Sequence, residues 1–99
     1  MQANFNNLIA GNTPVLVDFY TDWCAPCKMM TPVLHEVKKQ TGDQLKIIKI
    51  NVDENHSIAG KYQVRSIPSV MLFKNGEMKW SGVGVMQSNQ LLQVVRQYI

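Results

Sequence analysis

The chain has 99 residues, 45% apolar and 17% charged, and ten Lys and Arg against seven Asp and Glu leave a formal net charge of +3. That balance excludes a disordered chain and suits one folded domain over residues 1–99. No run reaches the ~18 consecutive apolar residues of a membrane span, no basic-then-apolar leader is visible, and the scattered cations form no phosphate-tracking stripe. No membrane or nucleic-acid partner is therefore expected, and a cytoplasmic location is.

Phe5, Leu8 and Ile9 stand at i, i+3 and i+4, which predicts a short helix over residues 3–10, stopped by Gly11-Asn12-Thr13-Pro14. Val15–Tyr20 is almost continuously apolar and reads as a strand covered on both faces. Residues 25–41 read as a long helix with Met30, Val33, Leu34 and Val37 inward and Lys38, Lys39 and Gln40 toward water. Pro26 falls in its first turn, where a missing N–H costs nothing. Pro32 cannot donate to the Lys28 carbonyl and predicts a kink, and Gly42 ends the helix.

Leu45–Val52 is the second strand, and a strand–helix–strand unit of this spacing makes it parallel to the first. Asn55 is placed to cap a short helix with Ile58, Ala59 and Tyr62 inward. Ser69–Lys74 and Glu77–Val83 flank Asn75-Gly76, a strong signal for a type I′ hairpin, which Gly82 and Gly84 close. Ser88 is expected to cap a last helix whose apolar repeat is Leu91, Leu92, Val95 and Tyr98. There is no internal repeat, low-complexity tract or linker.

Only two cysteines are present, Cys24 and Cys27, at the junction of the first strand and the long helix. A bridge between them closes so small a loop that it does little to restrain the unfolded chain, which points to redox exchange rather than stapling. A sulfur at a helix N-terminus faces unpaired N–H groups and the positive end of the macrodipole, and both favour the thiolate. Cys24 takes that place as attacking nucleophile, and Cys27, one turn deeper, resolves the mixed disulfide. Other readings of the pair are weaker. Lys28 follows Cys27 where haem attachment needs His. Zinc would need both His35 and His56, and His35 lies about 12 Å along the helix from Cys27. Two inert core cysteines fit poorly beside Trp23 and Pro26. No metal is expected.

Asp18 interrupts an apolar strand six residues before Cys24. Burial there raises a carboxyl pKa, and such a group can take the proton that Cys27 must lose, directly or through water. The alternative is a strand-end aspartate open to water or paired with a lysine. Lys49, on the neighbouring strand, is the candidate countercharge.

Trp23-Cys24-Ala25-Pro26-Cys27-Lys28, preceded by Val-Asp-Phe, resembles the thioredoxin motif Trp-Cys-Gly-Pro-Cys-Lys. Pro32, Lys49–Asp53, Ile67-Pro68, Phe73–Gly76 and Gly84 also match, so the resemblance runs over residues 5–99. It implies a thioredoxin fold, α/β, with a central four-stranded mixed sheet and about four helices. It also implies a cis Ile67–Pro68 bond, whose loop pairs with an extended substrate segment. Trp23, Ala25, Pro26, Ile67, Pro68, Val83 and Gly84 would then form the substrate-binding surface, with broad specificity for protein disulfides. A thioredoxin reductase, flavin- and NADPH-dependent or ferredoxin-linked, would regenerate the dithiol, and the chain would act as a monomer with no cofactor beyond its disulfide.

Two features depart from the family. Ala25 replaces the commoner Gly, stiffening the helix start. The family's first strand has no counterpart, because the residues before Val15 read as helix. The expected sheet order is therefore 45–52, 15–20, 69–74, 77–83, with 45–52 as an edge that Lys46 guards against strand pairing. The overall reading is a general protein disulfide reductase. Its rivals are a disulfide oxidase or isomerase, disfavoured by the absence of His between the cysteines, and a docking subunit with incidental thiols.

Overall fold

Val15–Tyr20 forms β1, buried along its first five residues, as a run apolar on both faces requires. The computed structural model describes residues 2–99. Around β1 it places α1 (Gln2–Ile9), α2 (Ala25–Thr41), β2 (Lys46–Asn51), α3 (His56–Lys61), β3 (Ser69–Lys74), β4 (Glu77–Val83) and α4 (Ser88–Val95). The four strands form one sheet in the order β2-β1-β3-β4. β1 runs parallel to β2 and antiparallel to β3, and β3 and β4 are antiparallel. This is the topology expected from the βαβ unit and the hairpin.

Alternation along β1 sends its side chains to opposite faces. Leu16 packs with Met30, Leu34 and Val37 of α2 and with Leu91, Leu92 and Val95 of α4. Val15, Val17 and Phe19 pack with Phe5 and Ile9 of α1 and Ile58 of α3. The sheet is thus covered by α2 and α4 on one side and by α1 and α3 on the other.

Helix α2 runs unbroken through Pro32, whose side chain is exposed. Its buried stripe is Cys27, Met30, Leu34, Val37 and Thr41, and Val33 packs half-buried at the margin. Gly42 follows at φ +56°, a left-handed conformation that glycine adopts without a Cβ penalty. The Lys38 ammonium donates to the Gly42 carbonyl at 2.8 Å and the Leu45 carbonyl at 2.6 Å, which ties the end of α2 to the start of β2.

Several boundaries differ from expectation for local reasons. Leu45 is buried but ends a 3₁₀ turn over Gly42–Gln44, and Val52 opens another over Val52–Glu54. The Asn51 side chain caps that second turn, accepting from the Asp53 N–H at 2.9 Å. Asn55 does stand at the N-cap of α3, yet its amide donates instead to the Asn51 carbonyl at 2.9 Å. The cap of α4 is Gln87 rather than Ser88. Gln87 has extended backbone and forms a reciprocal capping box with Gln90, whereas Ser88 is already helical. α4 ends at Val95, so Tyr98 reaches the core from the turn that follows.

At the hairpin, Asn75 and Gly76 take φ values of +56° and +81°, as a type I′ turn requires. Their N–H groups donate to the Gly11 and Ile9 carbonyls, so the turn is fastened to the end of α1. Phe5 is fully buried, tilted against Tyr62 at 5.5 Å and edge-on to Phe73 at 5.7 Å between ring centroids. Phe5→Ala is expected to cost about 3–5 kcal/mol, read as a lower urea midpoint, because it removes the ring that docks α1.

Candidate active site

The strand registers gather four loops at one end of the sheet. Tyr20 lies opposite Asn51, Phe19 opposite Ser69, and Ser69 opposite Val83. The segment leading from β1 to Cys24 is therefore flanked by the turn after β2, the Ile67-Pro68 loop before β3, and Gly84 after β4. The Ile67–Pro68 bond is cis. The Gly84 N–H donates to the Pro68 carbonyl at 2.8 Å, and Gly84 sits at φ +91°, which favours glycine.

Cys24 is the N-cap of α2, with extended backbone, and its Sγ accepts a hydrogen bond from the Cys27 N–H at 3.2 Å. Ala25 and Pro26 make the first turn of the helix and are exposed. Cys24 and Cys27 are joined as a disulfide, their Cα atoms 5.3 Å apart. Burial does not separate them: Cys24 is 4% exposed and Cys27 3%. In the disulfide form the outer and the inner cysteine are thus equally covered. The exposed apolar groups lie around them instead, with Trp23 at 72% and Val83 at 67%. Ile67 is half-buried and Pro68 buried.

Asp18 shares its face of β1 with Leu16, toward α2, and is wholly buried. Neither carboxyl oxygen has a hydrogen-bond partner among the described residues. Burial raises its pKa to about 6, partly opposed by the charge of Lys49. Lys49 is the register partner of Asp18, but its ammonium lies 4.5 Å above the Tyr20 ring. The one ion pair among the described residues is Lys79 with Glu77, so Lys49 acts on Asp18 through space rather than by contact. A pocket of about 160 Å³ opens beside Cys27, between Thr21, Lys28 and Lys49.

Three neighbours escaped the sequence reading. Asp53 accepts from the Trp23 indole N–H at 2.8 Å across thirty residues of sequence, and thereby orients the exposed ring. Tyr20 supplies the face on which Lys49 rests. Thr21 is 2% exposed, and its hydroxyl has no hydrogen-bond partner among the described residues. Only the fold brings these groups together. His35 and His56 join no metal-type cluster, and among the described residues there is no group of three such side chains.

The thioredoxin family model matches residues 1–97. The chain belongs to the thioredoxin family. It is 47% identical to a thioredoxin of Rickettsia bellii over 92 residues, 93% of this chain and 88% of that protein. Among solved structures, a point-mutant thioredoxin from Halobacterium salinarum superposes with a TM-score of 0.90 at 37% identity, over 99% of this chain and 85% of that one. Oxidised mitochondrial thioredoxin 3 from Saccharomyces cerevisiae gives 0.88 at 32% identity, over 97% and 89%. Family membership makes the chain a protein disulfide reductase whose redox group is its own cysteine pair. Neither the oxidase or isomerase reading nor the docking-subunit reading gains support from these likenesses.

The raised pKa of Asp18 carries a sign for stability. A carboxyl that holds its proton more tightly when folded contributes stability in full below the unfolded value of 3.8, and loses it as pH rises through about 6. The buried charge then costs on the order of 3 kcal/mol at neutral pH. Asp18→Asn is expected to raise the urea midpoint near pH 7 and leave it almost unchanged near pH 4, measured on the oxidised protein at both.

Proposed function

We propose that Cys24 is the nucleophile and Cys27 the resolving thiol of a reductase acting broadly on protein disulfides. The reading rests on one observation above the others: Cys24 caps α2, and its sulfur accepts the Cys27 N–H at 3.2 Å. A thiolate at that atom gains from the same donor and from the helix dipole. It attacks one sulfur of a client disulfide, forming a Cys24–client bond and releasing the other client sulfur as a thiolate. Cys27 then gives up its proton and attacks the Cys24 sulfur. The second client sulfur leaves as a thiolate, and the Cys24–Cys27 disulfide closes with two electrons delivered.

Asp18 is assigned as acceptor of the Cys27 proton. Its pKa near 6 makes it a competent base at neutral pH, and the pocket beside Cys27, lined by Thr21, Lys28 and Lys49, gives water access to that thiol. Lys49 tunes that base electrostatically. Client segments dock on Trp23, Ala25, Pro26, Ile67, Val83 and Gly84, with the Pro68 loop offering main-chain pairing. The protein works as one domain over residues 1–99, as a cytoplasmic monomer and electron carrier recharged by a thioredoxin reductase.

Reduction of a protein disulfide tests these roles. Cys24→Ser is expected to abolish turnover, and Cys27→Ser to accumulate a mixed disulfide through Cys24, visible by mass spectrometry. Accumulation through Cys27 in the Cys24→Ser protein instead would reverse the assignment. Asp18→Asn is expected to leave the first attack intact and to slow resolution by about 10²-fold near neutral pH. An unchanged resolution rate would remove Asp18 from the mechanism.

A further inference from the structure

Of the residues around the pocket beside Cys27, only Thr21 and Cys27 are buried, at 2% and 3% exposed. Asp22, Lys28 and Lys49 are exposed, and Tyr20 and Thr31 are half-buried. Thr21 and the inner cysteine therefore make the floor of the pocket, and the charged groups make its rim. The Thr21 carbonyl accepts the Cys24 N–H at 3.4 Å, which fixes this residue against the start of α2. The other buried Thr and Ser hydroxyls, of Thr41 and Ser69, each donate to a nearby backbone carbonyl, of Val37 and Ser66. The Thr21 hydroxyl alone has no partner among the described residues while Cys24 and Cys27 are joined. Such a group costs stability unless another state of the protein supplies its partner. The sulfur that changes its bonding between states lies in the same floor. A disulfide sulfur is a weak acceptor, and a thiolate is a strong one.

We propose that Thr21 is a further catalytic residue, whose hydroxyl donates to the Cys27 sulfur once the disulfide is open and holds the thiolate during resolution. The role rests on the assignment of Cys27 as the resolving thiol. Cys27 first gives its proton to the acceptor assigned above, and the thiolate accepts from the Thr21 O–H. It then attacks the Cys24 sulfur, the Cys24–client bond breaks, and the charge leaves on the client sulfur. The hydroxyl keeps its own proton throughout. It loses its acceptor when the Cys24–Cys27 bond forms, which is the state of this structure. The rim acts on the same sulfur from further off: Lys28 and Lys49 favour its ionisation and Asp22 opposes it, as does Asp18 of β1 once charged. Solvent screens those exposed groups, whereas the hydroxyl works under cover, where a hydrogen bond to an anion is strongest.

Thr21→Val keeps the branched shape without the hydroxyl, and Thr21→Ser keeps the hydroxyl without the methyl. Each reduced protein is mixed with the aromatic disulfide DTNB by stopped flow, where the first coloured thiol reports attack by Cys24 and the second reports resolution. In Thr21→Val the first release is expected at the wild-type rate and the second about tenfold slower near pH 7. The pH profile of that second step is expected to move up by about one pH unit, because a thiolate that has lost a donor forms less readily. Thr21→Ser is expected to restore most of the rate. In urea, Thr21→Val is expected to lower the midpoint of the reduced protein but not of the disulfide form, where the hydroxyl has no bond to lose. The role is overturned if Thr21→Val resolves like wild type at every pH, or if Thr21→Ser is equally slow. It is also overturned if Thr21→Val weakens the disulfide form as much as the reduced one, which marks an ordinary structural residue. Cys27→Ser tests the parent assignment separately: loss of the second release keeps Cys27 as resolver, and its retention removes both roles.

Discussion

The structure depends on one meeting of backbone and side chain: the start of α2 presents its unpaired N–H groups to the sulfur of Cys24. A helix N-terminus left without partners is unfavourable, and here a cysteine side chain supplies the acceptor that Ser or Asp usually provides. One hydrogen bond therefore caps the helix and fixes the Cys24 sulfur at its N-terminus. The long buried stripe of α2 makes this arrangement rigid. With Met30, Leu34 and Val37 packed on the sheet, the helix cannot tilt away from the end of β1, and Cys24 stays where strand and helix join.

Behind this junction the fold keeps a carboxyl in a place that opposes its ionisation. Among the described residues Asp18 has no hydrogen-bond partner and no contact ion pair, and its protonation balance lies near neutrality as a result. A fully paired Asp18 would be more comfortable and less useful as a base, because a strong donor or a touching lysine would pull its pKa down. Placing the Lys49 ammonium on the Tyr20 ring moderates that pull without removing the charge. Stability is given up at the residue that the proposed mechanism uses for proton transfer.

The two outer strands of the sheet differ in character. β4 ends beside the Pro68 loop, and Gly84 turns back to bond the Pro68 carbonyl, so that edge opens onto the disulfide surface. β2, at the far side, borders a groove lined with cations, among them Lys38 of α2 and Lys49, which also lines the pocket beside Cys27. Charge on an outer strand guards against indiscriminate strand pairing.

Much of this was legible in the chain itself. The boundaries of β1 and α2, the parallel β1–β2 pair, the hairpin at Asn75-Gly76 and the strand order all followed from short-range pattern: apolar run, helical stripe, positive-φ turn and the handedness of a βαβ unit. These elements were readable because each is dictated by residues close together in sequence. Tertiary packing alone decided the rest. It set Asp53 against Trp23, laid Lys49 on Tyr20 rather than on Asp18, covered both cysteines equally and moved the α4 cap from Ser88 to Gln87. Side chains far apart in sequence compete for the same partners, and which contact wins depends on distances that exist only once the sheet is assembled.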